Sequence, residues 1–214
     1  MSILRNFAVL EGCDGSGTTT QLTLLSRRFA RGGLLPDGKF YATAEPTKGP
    51  VGKLIRHVLR GGDSLAPETI ARLFAADRAE HLYGSGGIVR RCAILGELVV
   101  SDRYSLSSLV YQAVDCGEEL PRILNELFPL PELLIYLDID TETAIRRIAG
   151  RPERELFEYR EFQEKARDNY KKLLPVWEKN GVTVAILDGA RFPEDIAEEV
   201  WSAVKEMPIL KGTV

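Results

Sequence analysis

The segment Glu11-Gly12-Cys13-Asp14-Gly15-Ser16-Gly17-Thr18-Thr19-Thr20 sets two glycines five positions apart, directly ahead of three threonines. It nearly matches G-x-x-x-x-G-K-[ST], in which backbone N–H groups and a helix N-terminus cradle phosphate oxygens. Gly12 and Gly17 fill the glycine positions, and Thr19 fills the Ser/Thr that ligates Mg2+. Thr18 stands where the pattern has lysine, so the charge that normally bridges the terminal phosphates is missing. A plain strand–turn–helix connection capped by Ser16 or Thr18 is the competing reading.

A second group follows the apolar run Leu98-Val99-Val100: Ser101-Asp102-Arg103-Tyr104. Polar residues at the carboxyl end of a buried strand are poorly explained by packing. Asp102 suits Mg2+ or its water shell, and the Arg103 fork suits a phosphate. Tyr104, Ser108, Tyr111 and Gln112 recur near one helical face, which suits a polar heterocycle. The alternative is a helix start with Asp102 as a surface cap.

The elements that must carry these groups are legible in the periodicity. Strands are expected at 7–10, 39–43, 98–100, 133–137 and 182–187. Helices are expected at 18–31, 51–59, from Pro67, at 88–94, 106–114, 120–127, 141–149 and 158–179, and from Pro193. Strands alternating with helices predict an α/β fold with a parallel sheet covered on both faces, whose ligands sit at the carboxyl ends of the strands. Residues 1–214 read as one domain, with a charged, irregular segment at about 150–160.

The 214 residues hold 28 Lys plus Arg against 31 Asp plus Glu, a net charge of −3. A global basic field for nucleic acid is therefore not expected, and any anion must be held by a local cluster of cations. Cys13, Cys92 and Cys116 form no C-x-x-C pair, and two histidines, His57 and His81, make no His-rich metal site. With no signal-peptide pattern and no run long enough for a membrane span, the chain reads as cytoplasmic.

EGCDGSGTTTQ, TAEPT, LFAADRAEH and SDRYSLSSLVYQ, in that order and at compatible spacing, resemble the thymidylate kinase family over residues 7–187. The resemblance implies a P-loop kinase fold with a five-stranded parallel sheet and a short flexible lid, usually dimeric. It implies phosphoryl transfer from ATP to dTMP with Mg2+. The phosphate loop, Gly12 with Asp14 to Thr20, would bind the donor. Asp14 would lie near the acceptor 3′-OH and the metal region, and Thr19 and Asp102 would serve the metal. Glu45, Phe74, Arg78, Arg103, Ser108, Tyr111 and Gln112 would bind dTMP. Of these, Phe74 would stack on thymine, Arg78 would donate to its carbonyl, Arg103 would grip the phosphate, and Tyr111 would disfavour a ribose hydroxyl. Arg151 and Arg154 in the lid would close on the donor phosphates beside Asp14 and Arg103. Ala44 replaces an arginine of the family motif, with Lys48 a nearby substitute. Phe74 as core with Arg78 as a solvated charge, a kinase for another nucleoside or nucleoside monophosphate, and a nucleotide-binding pseudokinase stay open at this point.

Overall fold

The computed structural model describes residues 2–36, 38–149, 157 and 159–211. Its elements are β1 (Ile3–Gly12), α1 (Thr18–Ala30), β2 (Phe40–Ala44), α2 (Pro50–Leu59), α3 (Pro67–Tyr83), α4 (Ile88–Ala93), β3 (Leu98–Asp102) and α5 (Ser105–Cys116). They continue with α6 (Glu119–Asn125), β4 (Leu130–Asp138), α7 (Thr141–Ala149), α8 (Arg160–Lys179), β5 (Thr183–Asp188), α9 (Pro193–Val204) and α10 (Pro208–Lys211). The strands form one parallel sheet in the order β2-β3-β1-β4-β5. The α/β fold expected from the alternation is the fold observed.

β3 and β4 are buried along nearly their whole length because both faces of the sheet are covered. Side chains alternate across the sheet and feed two cores. Phe7, Val9, Val99, Leu134 and Tyr136 pack under α2, α3, α4, α5 and α8. Ala8, Leu10, Val100, Leu133, Ile135 and Leu137 pack under α1 and α9. β1 begins earlier than the apolar run 7–10 suggests, because Arg5 and Asn6 are polar. Asn6 has φ +64, the register shifts between Leu4 and Ala8, and the Glu132 carboxylate accepts from both Arg5 Nη1 and the Asn6 N–H.

Register sets the site. Leu10 and Ala44 both pair with Asp102, and Gly12 pairs with Leu137. The carboxyl ends of the neighbouring strands β2, β3 and β1 thus finish nearly level, where the chain leaves for Glu45, Arg103 and the phosphate loop. No described helix is long and apolar enough to cross a membrane.

Leu134 on β4 is fully buried, so Leu134→Ala is expected to cost about 2–5 kcal/mol. Urea unfolding should show a lower midpoint at an unchanged slope.

Candidate active site

The phosphate loop is built around three glycines with separate reasons to be glycine. A Cβ on Gly12 would lie 2.4 Å from Ser16 Oγ and 2.9 Å from the Leu137 carbonyl. Gly15 has φ +82, and its Cβ would meet the Ala144 carbonyl at 2.8 Å. Gly17 has φ +100 and is the N-cap of α1, with open space where a side chain would start. No side chain caps α1. The capped-turn reading therefore fails: neither Ser16 nor Thr18 occupies the first N–H groups of the helix, which stay available to an anion. Ser16 Oγ is buried without a hydrogen-bond partner, as a hydroxyl in a phosphate cradle would be before its ligand arrives.

Asp102 and Arg103 meet this loop from β3. Asp102 is buried, so it is no surface cap, and its Oδ2 accepts from Thr19 Oγ1 at 2.5 Å. Its other oxygen, Oδ1, is buried with no hydrogen-bond partner. A hydroxyl and a half-satisfied carboxylate at the mouth of a phosphate loop fit a hard divalent cation. Among the described residues no group of three His, Cys, Asp or Glu side chains could hold a metal alone, so such an ion would take its remaining ligands from phosphate and water. Arg103 has φ +71, a conformation few non-glycine residues adopt. Its Nη2 pairs with Asp14 Oδ1 at 2.5 Å, its Nη1 donates to the Gly12 carbonyl and to Ser107 Oγ, and its guanidinium lies 5.1 Å over the Tyr111 ring. Burial works against the charge, yet Tyr111, Asp14, Tyr170 and Asp102 around it keep its pKa well above the usual arginine value.

One cavity of about 380 Å3 joins the two groups. The phosphate-loop residues Asp14, Gly15, Gly17, Thr18, Thr19 and Thr20 line one end, and Glu45, Phe74, Asp102, Arg103, Ser108, Tyr111 and Gln112 line the rest. Gln112 Oε1 is buried in that wall without a partner. Arg78 is not in the lining. It is buried, donating to Glu45, Ser108 Oγ and Asn125 Oδ1, so it stands behind the wall; it is no solvated charge. Glu45 also contacts His81 Nδ1 at 3.0 Å, and the Asp77 carboxylate holds Thr47 through its N–H and its hydroxyl.

Sequence reasoning missed two cations. Arg56 on α2 lines the cavity and donates to the Pro46 carbonyl, whereas Lys48 is exposed and outside the lining. Arg147 on α7 donates to the carbonyls of Gly15, Gly189 and Ala190, beside the phosphate loop. Both sit at ordinary helical charge positions, so no local signal separated them from surface arginines. Phe157, which stacks on Phe162 and lines the cavity, was equally unmarked. Arg151, Arg154 and most of the expected lid at 150–160 lie outside the described residues.

Comparison with known proteins gives a consistent answer. A family model described as thymidylate kinase matches residues 10–199. A protein of Treponema pallidum assigned as a thymidylate kinase is 46% identical over 175 residues, 81% of each chain. One from Aeropyrum pernix, assigned likewise, is 41% identical over 205 residues, covering 91% of this chain and 95% of its own. A third, from Pyrobaculum aerophilum, is 37% identical over 202 residues, 94% and 97% of the two chains.

Cys13 lies inside the phosphate loop but is buried, and burial, then the Asp14 charge, pushes its thiol up to about 12. Burial does the same to Cys92. Only the thiolate reacts, so at pH 8 roughly one part in ten thousand of each is active in the folded state. A native-state thiol assay at pH 8 should label the half-buried Cys116 first and leave Cys13 and Cys92 protected until unfolding.

Proposed function

The chain belongs to the thymidylate kinase family, and we propose that it uses ATP as phosphoryl donor and Mg2+ as bound cation. It is a nucleoside monophosphate kinase that phosphorylates dTMP. The observation that carries the site assignment is the single cavity in which an uncapped phosphate loop, the Arg103–Asp14 pair and the Phe74 ring face one volume.

In this reading the loop N–H groups and Thr18 to Thr20 hold the donor phosphates. Arg103 grips the acceptor phosphate, Phe74 stacks on the base, Ser108 and Gln112 face its polar edge, and Tyr111 closes the sugar side. Arg78 orders Glu45 and Ser108 around that edge. Arg56 supplies the cation that Ala44 lacks, and Arg147 stands on the donor side. Arg151 and Arg154 are assigned to the donor phosphates from the resemblance. Thr19 and Asp102 would hold Mg2+, which when bound offsets phosphate charge.

Phosphoryl transfer asks little covalent work of a protein; positioning and charge neutralisation do most of it. A dTMP phosphate oxygen is already anionic near neutral pH, so no general base is required. Asp14 is then free to orient Arg103 and the sugar. Residues 1–214 form one kinase domain in this reading, with the lid at about 150–160. Homodimerisation beside α3 and a cytoplasmic location complete it. The exposed apolar side chains of Tyr83 and Leu127 support a partnered surface there.

A panel of dTMP, dUMP, UMP, CMP and thymidine with ATP and Mg2+ tests the assignment, with dTMP expected to be preferred. Two substitutions test the roles. Phe74→Ala should raise the dTMP KM by the loss of about 1–3 kcal/mol of stacking, leaving the ATP KM nearly unchanged. Arg103→Ala should cost acceptor use roughly 1.5–3 kcal/mol. Equal losses for ATP would move Arg103 to the donor site.

A further inference from the structure

Glu11 is the last residue before the phosphate loop, and the chemistry above does not use it. It is fully buried. Four donors converge on its carboxylate. Oε1 accepts from the Tyr104 N–H at 2.9 Å and the Ser107 N–H at 3.3 Å. Oε2 accepts from Ser107 Oγ at 2.6 Å and from Tyr170 Oη at 2.8 Å. These donors belong to the first turn of α5 and to α8, while Glu11 sits on β1.

The first turn of α5 explains the arrangement. Its N-cap is Tyr104, whose side chain cannot cap, and no side-chain cap bond is made from within the segment. The orphan N–H groups of a helix start need an acceptor when buried. Glu11 supplies it from the neighbouring strand, and its negative charge complements the helix dipole. The residue just before that turn is Arg103, held at φ +71 by its N–H on the Leu10 carbonyl and by Ser101 Oγ on its own carbonyl. The guanidinium then returns to the same hub, because Ser107 Oγ contacts both Glu11 Oε2 and Arg103 Nη1. Burial pushes the Glu11 carboxyl up from its ordinary value, while the Arg103 charge and the bonds from the Ser107 hydroxyl, the Tyr170 hydroxyl and the Tyr104 N–H pull it back toward the charged form.

We propose that Glu11 is the positioning residue of the acceptor-phosphate site: it caps α5 from the adjacent strand and thereby holds Arg103 in its strained, phosphate-facing conformation. This rests on the assignment of Arg103 to the acceptor phosphate. Glu11 does not line the cavity, so in this proposal its effect passes through Arg103.

Glu11→Gln removes the charge and one of the two accepting oxygens at nearly constant volume. With dTMP varied at saturating ATP, and the reverse, its acceptor KM should rise about tenfold, the equivalent of one lost charge-assisted hydrogen bond, while the ATP KM stays within about twofold. Combined with Arg103→Ala, it should add almost nothing to the loss from Arg103→Ala alone, because two residues acting through one contact are not additive. An unchanged acceptor KM, equal rises for both substrates, or full additivity with Arg103→Ala would overturn the proposal. If Glu11→Gln does not fold, Ser107→Ala, which cuts the side chain touching both groups, is judged by the same criteria. Arg103→Ala on its own separates the two levels: if it leaves the acceptor KM unchanged, the assignment of Arg103 fails first.

Discussion

The ion pair between Arg103 and Asp14 ties together two turns that approach from different strands, the phosphate loop after β1 and the turn after β3. Each turn is conformationally costly alone. The loop needs glycines at positive φ, and Arg103 holds a left-handed backbone without being glycine. The pair is one-fifth exposed or less on both sides, so it is neither a weak surface bridge nor a fully desolvated one. Its geometry survives because the neighbours over-determine it: the Gly12 carbonyl and Ser107 on the arginine side, and Gln163 Nε2 on the second Asp14 oxygen. Gln163 also donates to the Phe157 carbonyl, which links the same pair to the end of the charged segment before α8.

The wall opposite the loop is held by the same device at greater depth. Glu45 carries Arg78 on one oxygen and His81 on the other, and Arg78 spends its remaining donors on Ser108 and Asn125. A buried ion pair adds little net stability when compared with apolar packing, but losing one partner strands a charge. Such a network is thus better understood as fixing where Ser108 and the Glu45 turn stand than as holding the fold up. Stability comes from the two apolar layers either side of β1, β3 and β4.

The fold was largely legible because its signals are local. Apolar runs, Pro67 and Pro193 at helix starts, and glycine stops placed nearly every element within a few residues. β1 and α10 were exceptions: α10 was not expected, and the bulge of β1 at Asn6 is stabilised by Glu132, far away in sequence. The polar site residues were legible through the motifs they sit in, and the cavity collects most of them. What stayed hidden was any role set by a tertiary partner. That Arg78 is buried, for example, depends on Glu45 and Asn125. Arg56 was not singled out, and only the packing of α2 turns it into the cavity. Glu11 carried no signal beyond standing ahead of the loop.

The absent phosphate-loop lysine leaves the donor end to the cations among the described residues. Arg103 is balanced by Asp14, and Arg78 by Glu45, so neither brings net positive charge to the cavity. Arg56 and Arg147 are different: their bonds go to carbonyls of Pro46 and of Gly15, Gly189 and Ala190, not to carboxylates. A guanidinium held by a neutral acceptor keeps its full charge for a ligand. Arg56 lines the cavity, and Arg147 stands against the loop outside that lining. Thr18 therefore need not be replaced by a cation at the same spot. In the proposed reading the charge would come from a helix on each flank, and the uncapped start of α1 would supply the part nearest the phosphates.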